Sequence, residues 1–241
     1  MNLLRRLWLP VAYYLSWLLF ALGGLALNLC CAPFLLARDR ERFGPPARAA
    51  TRRLFDSWLG WMHLSGILEI VWTGFENPSP RGVVYVANHP TLVDAPFLLA
   101  RLPDTVCIFK PSLLRNPIIA PAALLCGYVS GGDGVDGIRA AAAAVRAGRS
   151  LLIFPEGTRT APGTVLNPLR PGFALIARRA CAPLQLIHVK ASPFIATKGR
   201  PWWKIPPLPG RFEFTLGERI PHDDTASAAE LTARVAQSLR A

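Results

Sequence analysis

The stretch Val86–Pro96, VANHPTLVDAP, follows a short run of strand-forming residues and places a histidine and an aspartate five residues apart. On one continuous helix, that spacing would separate His89 from Asp94 by about 140° at 3.6 residues per turn, so their side chains could not touch. Pro90 disfavours helical backbone at His89 and suits the first turn of a helix. The pattern therefore predicts a strand, a loop that carries His89, and a helix whose start brings Asp94 back to the imidazole.

A second stretch, residues 151–160 (LLIFPEGTRT), is also an apolar strand pattern that ends in a turn, and the turn carries Glu156 and Arg159. In a parallel sheet, binding groups collect at the carboxyl ends of strands. We therefore expect both stretches to meet at the carboxyl edge of one sheet, which we call the mouth of the site. An aspartate that accepts a hydrogen bond from one ring nitrogen of His89 leaves the other nitrogen available as a base.

From residue 80 onward, apolar strand patterns alternate with helical segments. The predicted strands are 83–87, 105–110, 150–154, 184–190 and 211–216, and the predicted helices are 95–102, 118–126, 135–147, 171–180 and 226–240. A turn is predicted at 77–80 and a Pro- and Trp-rich loop at 198–211. This alternation, with strands that are nearly all apolar, predicts an α/β domain with a mainly parallel central sheet flanked by helices.

The first third of the chain has a different pattern. Leu7–Ala37 contains no charged residue, and a transmembrane helix needs only about 20 apolar residues. A second apolar helix is expected at roughly Leu54–Trp72, after an Arg-rich linker. We therefore predict a membrane-anchoring two-helix segment at 1–75 before an α/β domain at 76–241. The pair could be one span plus one interfacial helix or a hairpin in one leaflet, and a buried soluble hairpin is the alternative.

Composition and net charge limit the classes of partner that the chain is expected to bind. Charged residues make up 17% of the chain, against roughly 25% in soluble domains, and the net charge is +12. Such a charge fits an anionic bilayer or an anionic substrate, whereas no nucleic-acid-binding motif is present. Arginines that follow the first apolar run favour the cytoplasmic side of the inner membrane for the α/β domain. The five cysteines lack metal or redox spacing, so no metal and no redox cofactor is expected.

Together the two stretches resemble the glycerolipid acyltransferase family, of the 1-acylglycerol-3-phosphate acyltransferase type. Its first motif corresponds to Asn88, His89 and Asp94, and its third to Phe154–Arg159. Its fourth, an apolar strand after a proline, resembles residues 182–189 (APLQLIHV). The second motif differs from the family pattern, because residues 127–133 (GYVSGGD) lack the arginine that this family usually places there.

The resemblance implies acyl transfer from a thioester, acyl-CoA or acyl carrier protein, to the hydroxyl of a lysolipid, with 1-acyl-glycerol-3-phosphate as the expected acceptor. His89 would be the general base and Asp94 would orient it. The substrate-binding residues would be Asn88, Lys110, Glu156, Gly157, Thr158 and Arg159.

Three alternatives stay open at this point. Residues 197–218 also resemble family members associated with aryl-polyene-type pigment lipids, which would mean a different acceptor. A membrane thioester hydrolase could use the same dyad on water. A non-catalytic membrane adaptor could keep the fold without turnover.

Overall fold

The computed structural model describes residues 3–76, 80–114, 116, 119–192, 199 and 201–240. Parts of three predicted segments lie outside these residues, namely the turn at 77–80, the start of the helix at 118–126 and two positions of the loop at 198–211. Within the described part of the chain, the strands are β1 Leu68–Thr73, β2 Val84–Ala87, β3 Thr105–Phe109, β4 Val129–Ser130, β5 Ser150–Ile153, β6 Leu184–Ser192 and β7 Gly210–Ile220. The α-helices there are α1 Leu3–Cys31, α2 Gly44–Leu64, α3 Asp94–Arg101, α4 Pro111–Leu114, α5 Ala120–Leu125, α6 Gly134–Arg146, α7 Gly172–Ala180 and α8 Ala228–Arg240.

The strands form one sheet in the order β1-β7-β6-β2-β5-β3-β4. Among the described strands every pairing is parallel except that of β6 with β7. β2 lies near the centre, with Val84 opposite Leu151 of β5 on one side and Leu184 of β6 on the other. The predicted α/β fold with a mainly parallel sheet is confirmed.

Helices cover both faces of the sheet, which is why its central strands β2, β3 and β5 are almost entirely apolar. Along β2, Tyr85 and Ala87 pack in the core beneath α1, α2 and α3. The alternate residues Val84 and Val86 pack in a second core beneath α6, α7 and α8. This period of two is what a pleated strand with two buried faces requires.

The predicted second helix, Leu54–Trp72, is wrong at both ends. α2 begins at Gly44 and ends at Leu64, and the residues after it form β1, which pairs in parallel with β7. Gly66 has a φ of +76°, a left-handed conformation that ends helices and suits glycine. The sheet therefore includes residues of the segment 1–75, which the sequence assigned to membrane anchoring.

Part of the segment that was predicted to be an Arg-rich linker is helical. Arg48 lies inside α2 with only 6% of its side chain exposed, and its Nε atom is 2.7 Å from Oδ1 of Asp104. Its Nη1 donates to the carbonyl of Cys126 at 3.0 Å, and Arg52 donates to the carbonyl of Ala100 at 3.0 Å. These arginines hold α2 on the α/β domain instead of linking two separate membrane helices.

α1 lies along the domain and does not project from it. The indole of Trp58 donates to the carbonyl of Ser16 at 2.8 Å, and the side chain of Asn28 accepts from the backbone of Ala122 at 2.9 Å. Buried positions run from Leu9 to Cys31, which is about 33 Å of helix at 1.5 Å per residue. The opposite side, here called the α1 apolar face, is exposed and consists of Leu4, Leu7, Val11, Tyr14, Leu18, Leu22, Leu25 and Leu29.

By length and composition, Leu3–Leu36 is the one helical segment among the described residues that could cross a membrane. Only 11% of its most apolar window is buried inside the protein. Most of this apolar window is therefore not covered by the α/β domain.

Candidate active site

The predicted mouth forms at the carboxyl edge of the central strands. His89 lies two residues after the end of β2, and Glu156 lies three residues after the end of the neighbouring parallel strand β5. Because parallel neighbours end at the same edge, the two loops meet there. The backbone N–H of Thr160 donates to the carbonyl of His89 at 2.8 Å, which joins the loops directly.

His89 and Asp94 form the predicted pair. Nδ1 of the imidazole lies 2.8 Å from Oδ2 of Asp94, the first residue of α3. The Asp94 side chain has 0% exposed surface and that of His89 has 18%. A carboxylate only accepts hydrogen bonds, so this contact assigns the proton to Nδ1 and leaves Nε2 with a free lone pair. Among the described residues none hydrogen-bonds Nε2, so it is available to a substrate.

Thr91, which the sequence analysis did not include, fixes the carboxylate. Its backbone N–H donates to Oδ2 of Asp94 at 2.7 Å, and its hydroxyl donates to Oδ1. These contacts close the turn from Thr91 to Asp94, which leads into α3 at its first residue. The Asp94 carboxylate therefore both fixes this turn and contacts the histidine.

Glu156 is buried at the mouth and accepts several hydrogen bonds there. The residue is 3% exposed, and its carboxylate accepts from the backbone of His89 at 2.9 Å, from the backbone of Asn167 at 2.9 Å and from the hydroxyl of Thr160 at 2.9 Å. The sequence placed Glu156 among the substrate-binding residues. Both of its oxygens are engaged inside the protein, and these hydrogen bonds join the loop after β2 to the loop after β5.

Asn88 and Phe154, which directly follow β2 and β5, are neighbours of the histidine. The Asn88 amide donates to the carbonyl of Val189 at 2.8 Å and accepts from the Val189 backbone at 2.7 Å, which extends the pairing of β2 with β6 by one side chain. The Phe154 ring stacks on the imidazole of His89 with centroids 4.1 Å apart and planes 23° apart. Asn88, predicted to bind substrate, therefore has its hydrogen-bonding groups occupied by the sheet.

The predicted cations lie at this edge. Lys110 is exposed directly after β3, and Arg159 is half-buried in the turn after β5. Thr158 is half-buried beside it. The loop formed by residues 127–133, around the two-residue strand β4, supplies no arginine or lysine, in line with its sequence.

Arg170 is a further cation that the sequence analysis missed. Its backbone N–H donates to the carbonyl of Pro155 at 2.8 Å. A Cβ at Gly157 would lie 3.1 Å from Nε and 3.2 Å from Cζ of Arg170, so the guanidinium lies across the Gly157 backbone. Gly157 also has a φ of +66°, so glycine is required both by conformation and by this close approach. Within the described residues, no acidic group pairs with the Arg170 guanidinium.

Two buried cysteines of the α/β domain, Cys107 and Cys126, have raised pKa values. Burial raises the pKa of Cys107 to about 12 and that of Cys126 to about 11. A thiol nucleophile reacts as its thiolate, so neither side chain is reactive near neutral pH.

One group of potential metal ligands occurs in the described part of the chain. Cys181, His222 and Asp224 bring their ligand atoms within 4.8 Å of one another, at the surface. They precede β6 and follow the antiparallel β7, which places them at the opposite edge of the sheet from His89. This group has no part in the chemistry of the mouth.

The sequence matches a family model described as Acyltransferase over residues 69–194. The match begins within β1 and ends just after β6, so it includes the loops that carry His89 and Glu156. The fold is also that of a solved structure. The crystal structure of the 1-acyl-sn-glycerophosphate (LPA) acyltransferase from Thermotoga maritima superposes with a TM-score of 0.72 at 24% identity, covering 100% of this chain and 96% of that one.

Curated relatives match part of the chain. A 1-acyl-sn-glycerol-3-phosphate acyltransferase of Borreliella burgdorferi is 37% identical over 109 residues, which is 42% of this chain and 42% of that protein. The enzyme of the same name from Cocos nucifera is 32% identical over 108 residues, 42% of this chain and 35% of that protein. That of Limnanthes alba is 28% identical over 147 residues, 56% of this chain and 50% of that protein.

The chain thus spans between about a third and a half of the length of these relatives. The family model, however, covers more than half of the 241 residues, including every residue of the dyad and of the turn after β5. This chain therefore belongs to the acyltransferase family, the family that also includes the matched 1-acyl-sn-glycerol-3-phosphate acyltransferases.

Proposed function

We propose that this protein is a membrane-bound O-acyltransferase that moves an acyl group from a thioester to the hydroxyl of a lysolipid. The observation that carries the proposal is the contact of 2.8 Å between His89 Nδ1 and a fully buried Asp94, which leaves Nε2 available at the mouth. Membership of the acyltransferase family and the names of the curated relatives support it.

The chemistry needs no covalent enzyme intermediate, because a thioester is already activated. His89 Nε2 takes the proton of the acceptor hydroxyl while the oxygen attacks the thioester carbonyl carbon. The C–O bond forms, the C–S bond breaks, and the leaving thiolate recovers the proton from the imidazolium. Asp94 stabilises that imidazolium, and general-base catalysis of this kind contributes about 10²–10⁴ in rate.

The proposed acceptor is 1-acyl-glycerol-3-phosphate, which would yield phosphatidic acid. The matched relatives are named for this acceptor, and three cations lie at the mouth: Lys110, Arg159 and Arg170. Arginine offers a planar fork of donors that suits phosphate. In this proposal Arg159 and Arg170 together take the place of the arginine that residues 127–133 lack. Acyl-CoA and acyl carrier protein are both candidate donors.

The membrane attachment is proposed to be monotopic, in one leaflet. α1 packs along about 33 Å of the α/β domain, which exceeds the hydrocarbon thickness of about 30 Å. If α1 crossed the bilayer upright, it would draw that domain into the hydrocarbon. With α1 in the plane of the membrane, the α1 apolar face enters the lipid and the mouth stays at the surface.

The domain is proposed to face the cytoplasm at the inner membrane, where thioester donors are made. Protease added to inverted vesicles should cleave at the exposed pair Arg178–Arg179, and protease added to intact spheroplasts should not. Cleavage in intact spheroplasts would place the domain on the other side.

The function is tested by acyl transfer with detergent-purified protein and a panel of acceptors. The panel contains 1-acyl-glycerol-3-phosphate, an uncharged monoacylglycerol and a hydroxylated aryl-polyene lipid, each with acyl-CoA and with acyl carrier protein as donor. Ester formation that depends on the phosphate acceptor supports the proposal. Preference for the aryl-polyene lipid would mean that this lipid, and not 1-acyl-glycerol-3-phosphate, is the acceptor. Release of free acid without any acceptor would indicate a hydrolase. If no pair of donor and acceptor gave turnover, the remaining interpretation would be a non-catalytic membrane adaptor.

A further inference from the structure

The loop Pro201–Pro209 presents two tryptophans at the catalytic edge of the sheet. It leads directly into β7, and the first residues of β7 pair with the last residues of β6, where Ser192 is opposite Arg211. β6 runs parallel to β2, so this edge is the one at which His89 lies. Trp202 is 44% exposed and Trp203 is 59% exposed, although aromatic side chains of this size are usually covered.

Two tyrosines of α1 hold this loop in place. The hydroxyl of Tyr13 donates to the carbonyl of Trp202, and the hydroxyl of Tyr14 donates to the carbonyl of Trp203 at 3.1 Å. The Trp17 ring lies against that of Trp202, with centroids 5.2 Å apart. The tryptophan pair is therefore attached to α1 by two hydrogen bonds and a ring contact, and its position follows that of the helix.

The attachment makes the loop continuous with the α1 apolar face. Tyr14 belongs to that face and is itself 49% exposed, and Trp203 lies directly beyond its hydroxyl. Lys204 follows as an exposed cation. Tryptophan concentrates where headgroups meet acyl chains, and lysine beside it suits anionic headgroups. A bilayer that covers the α1 apolar face would therefore meet both indoles at its interface.

We infer that Trp202, Trp203 and Lys204 form a second bilayer contact, which holds the catalytic mouth at the membrane surface. The inference rests on the proposed membrane-bound acyl transfer and adds a partner surface to it. α1 supplies the attachment, and the tryptophan loop determines the tilt of the domain, so that an amphipathic acceptor reaches His89 without leaving the interface.

The contact is tested directly by ¹⁹F NMR of the full chain labelled with 5-fluorotryptophan. The resonances are assigned with the single variants Trp202→Phe and Trp203→Phe, in bicelles that contain phosphatidylglycerol. Lipids with a doxyl group should broaden both resonances, and a water-soluble gadolinium chelate should broaden them little. The reverse pattern would show that the indoles face water and would overturn the inference. Loss of a dimer on analytical ultracentrifugation of Trp202→Ser/Trp203→Ser would overturn it in favour of a second copy of the chain.

The effect of this contact on activity is tested by comparing acceptor embedded in vesicles with acceptor dissolved as a monomer. Trp202→Ser/Trp203→Ser should lower the rate with acceptor in phosphatidylglycerol vesicles at least about tenfold relative to the rate with a monomeric short-chain acceptor. Leu175→Ser, at an exposed leucine on α7, is the matched control and should leave this ratio unchanged. An unchanged ratio in the tryptophan variant would contradict the inference while leaving the proposed acyl transfer intact. Inactivity of the wild type with both acceptors would instead refute the acyl transfer, and the NMR experiment would still test the contact.

Discussion

The Asp94 carboxylate, which has no exposed surface, lies 2.8 Å from Nδ1 of the His89 imidazole. The same carboxylate closes the turn that leads into α3, because it also accepts from the backbone of Thr91 at 2.7 Å. One group thus serves the fold and the proposed chemistry, so a substitution that preserves the turn can separate the two roles.

Asp94→Asn is that substitution. Oδ2 accepts from both the Thr91 backbone and Nδ1 of His89, so the amide oxygen of asparagine can keep both contacts with its NH₂ group toward the Thr91 hydroxyl. The negative charge that stabilises the imidazolium is lost. We expect the rate of acyl transfer to fall by at least about 10², with the protein still folded. Steady-state kinetics with circular dichroism checks this, and Asp224→Asn, at an exposed carboxylate, is the control. A rate within about tenfold of wild type would exclude this electrostatic role of Asp94.

Glu156→Gln tests whether Glu156 positions the site or binds substrate. The glutamine NH₂ would face N–H and O–H donors, so we expect the free energy of unfolding to fall by about 1.5–3 kcal/mol. We also expect kcat to fall at least about tenfold, since small displacements of a catalytic group are costly. Glu213→Gln, in an exposed ion pair, should change stability by less than about 1 kcal/mol. A raised acceptor KM with unchanged kcat would restore the substrate-binding role that the sequence predicted.

Arg159→Ala and Arg170→Ala test the phosphate site. Each should lower kcat/KM for 1-acyl-glycerol-3-phosphate by about ten- to hundredfold, the loss typical of a charge-assisted hydrogen bond. The rate with an uncharged monoacylglycerol should change little, and Arg170→Lys should recover part of the loss. Arg178→Ala, at an exposed arginine on α7, serves as control. If both variants keep a thousandfold preference for the phosphate acceptor, the phosphate is held elsewhere.

The α1 apolar face should be the main membrane attachment. Full-length protein is expected to stay with membranes in alkaline carbonate, whereas the variant Leu18→Ser/Leu22→Ser/Leu25→Ser should be released. These leucines are 53%, 55% and 41% exposed, so their replacement removes apolar surface without opening the core. Wild-type protein in the carbonate supernatant would refute the attachment, and so would retention of the triple variant.

The local part of the site was predictable because it depends on neighbouring residues. Pro90 and the Thr91-x-x-Asp94 spacing determine how the chain turns after β2, and the dyad follows from that turn. The alternation of strands and helices was predictable for a similar reason, since each apolar run is bounded by its own turn signals.

The long-range part was not predictable in this way. Glu156 contacts His89 across 67 positions and Asn88 contacts Val189 across 101, and no local pattern shows that these polar groups face inward. Strand β1 was missed because its tryptophan, leucine and isoleucine continue the composition of the apolar helix before it. Only its partner β7 makes it a strand, which is tertiary context overriding composition.

The central claim is that His89 acts as the general base of acyl transfer to a lysolipid hydroxyl. The most direct measurement follows both products, ester and free acid, from labelled acyl-CoA with 1-acyl-glycerol-3-phosphate, for wild type and for His89→Ala. We predict acceptor-dependent ester as the main product of the wild type and a loss of at least about 10² in its rate for the variant, with membrane association unchanged. Ester formation by His89→Ala at more than about a tenth of the wild-type rate would contradict the claim.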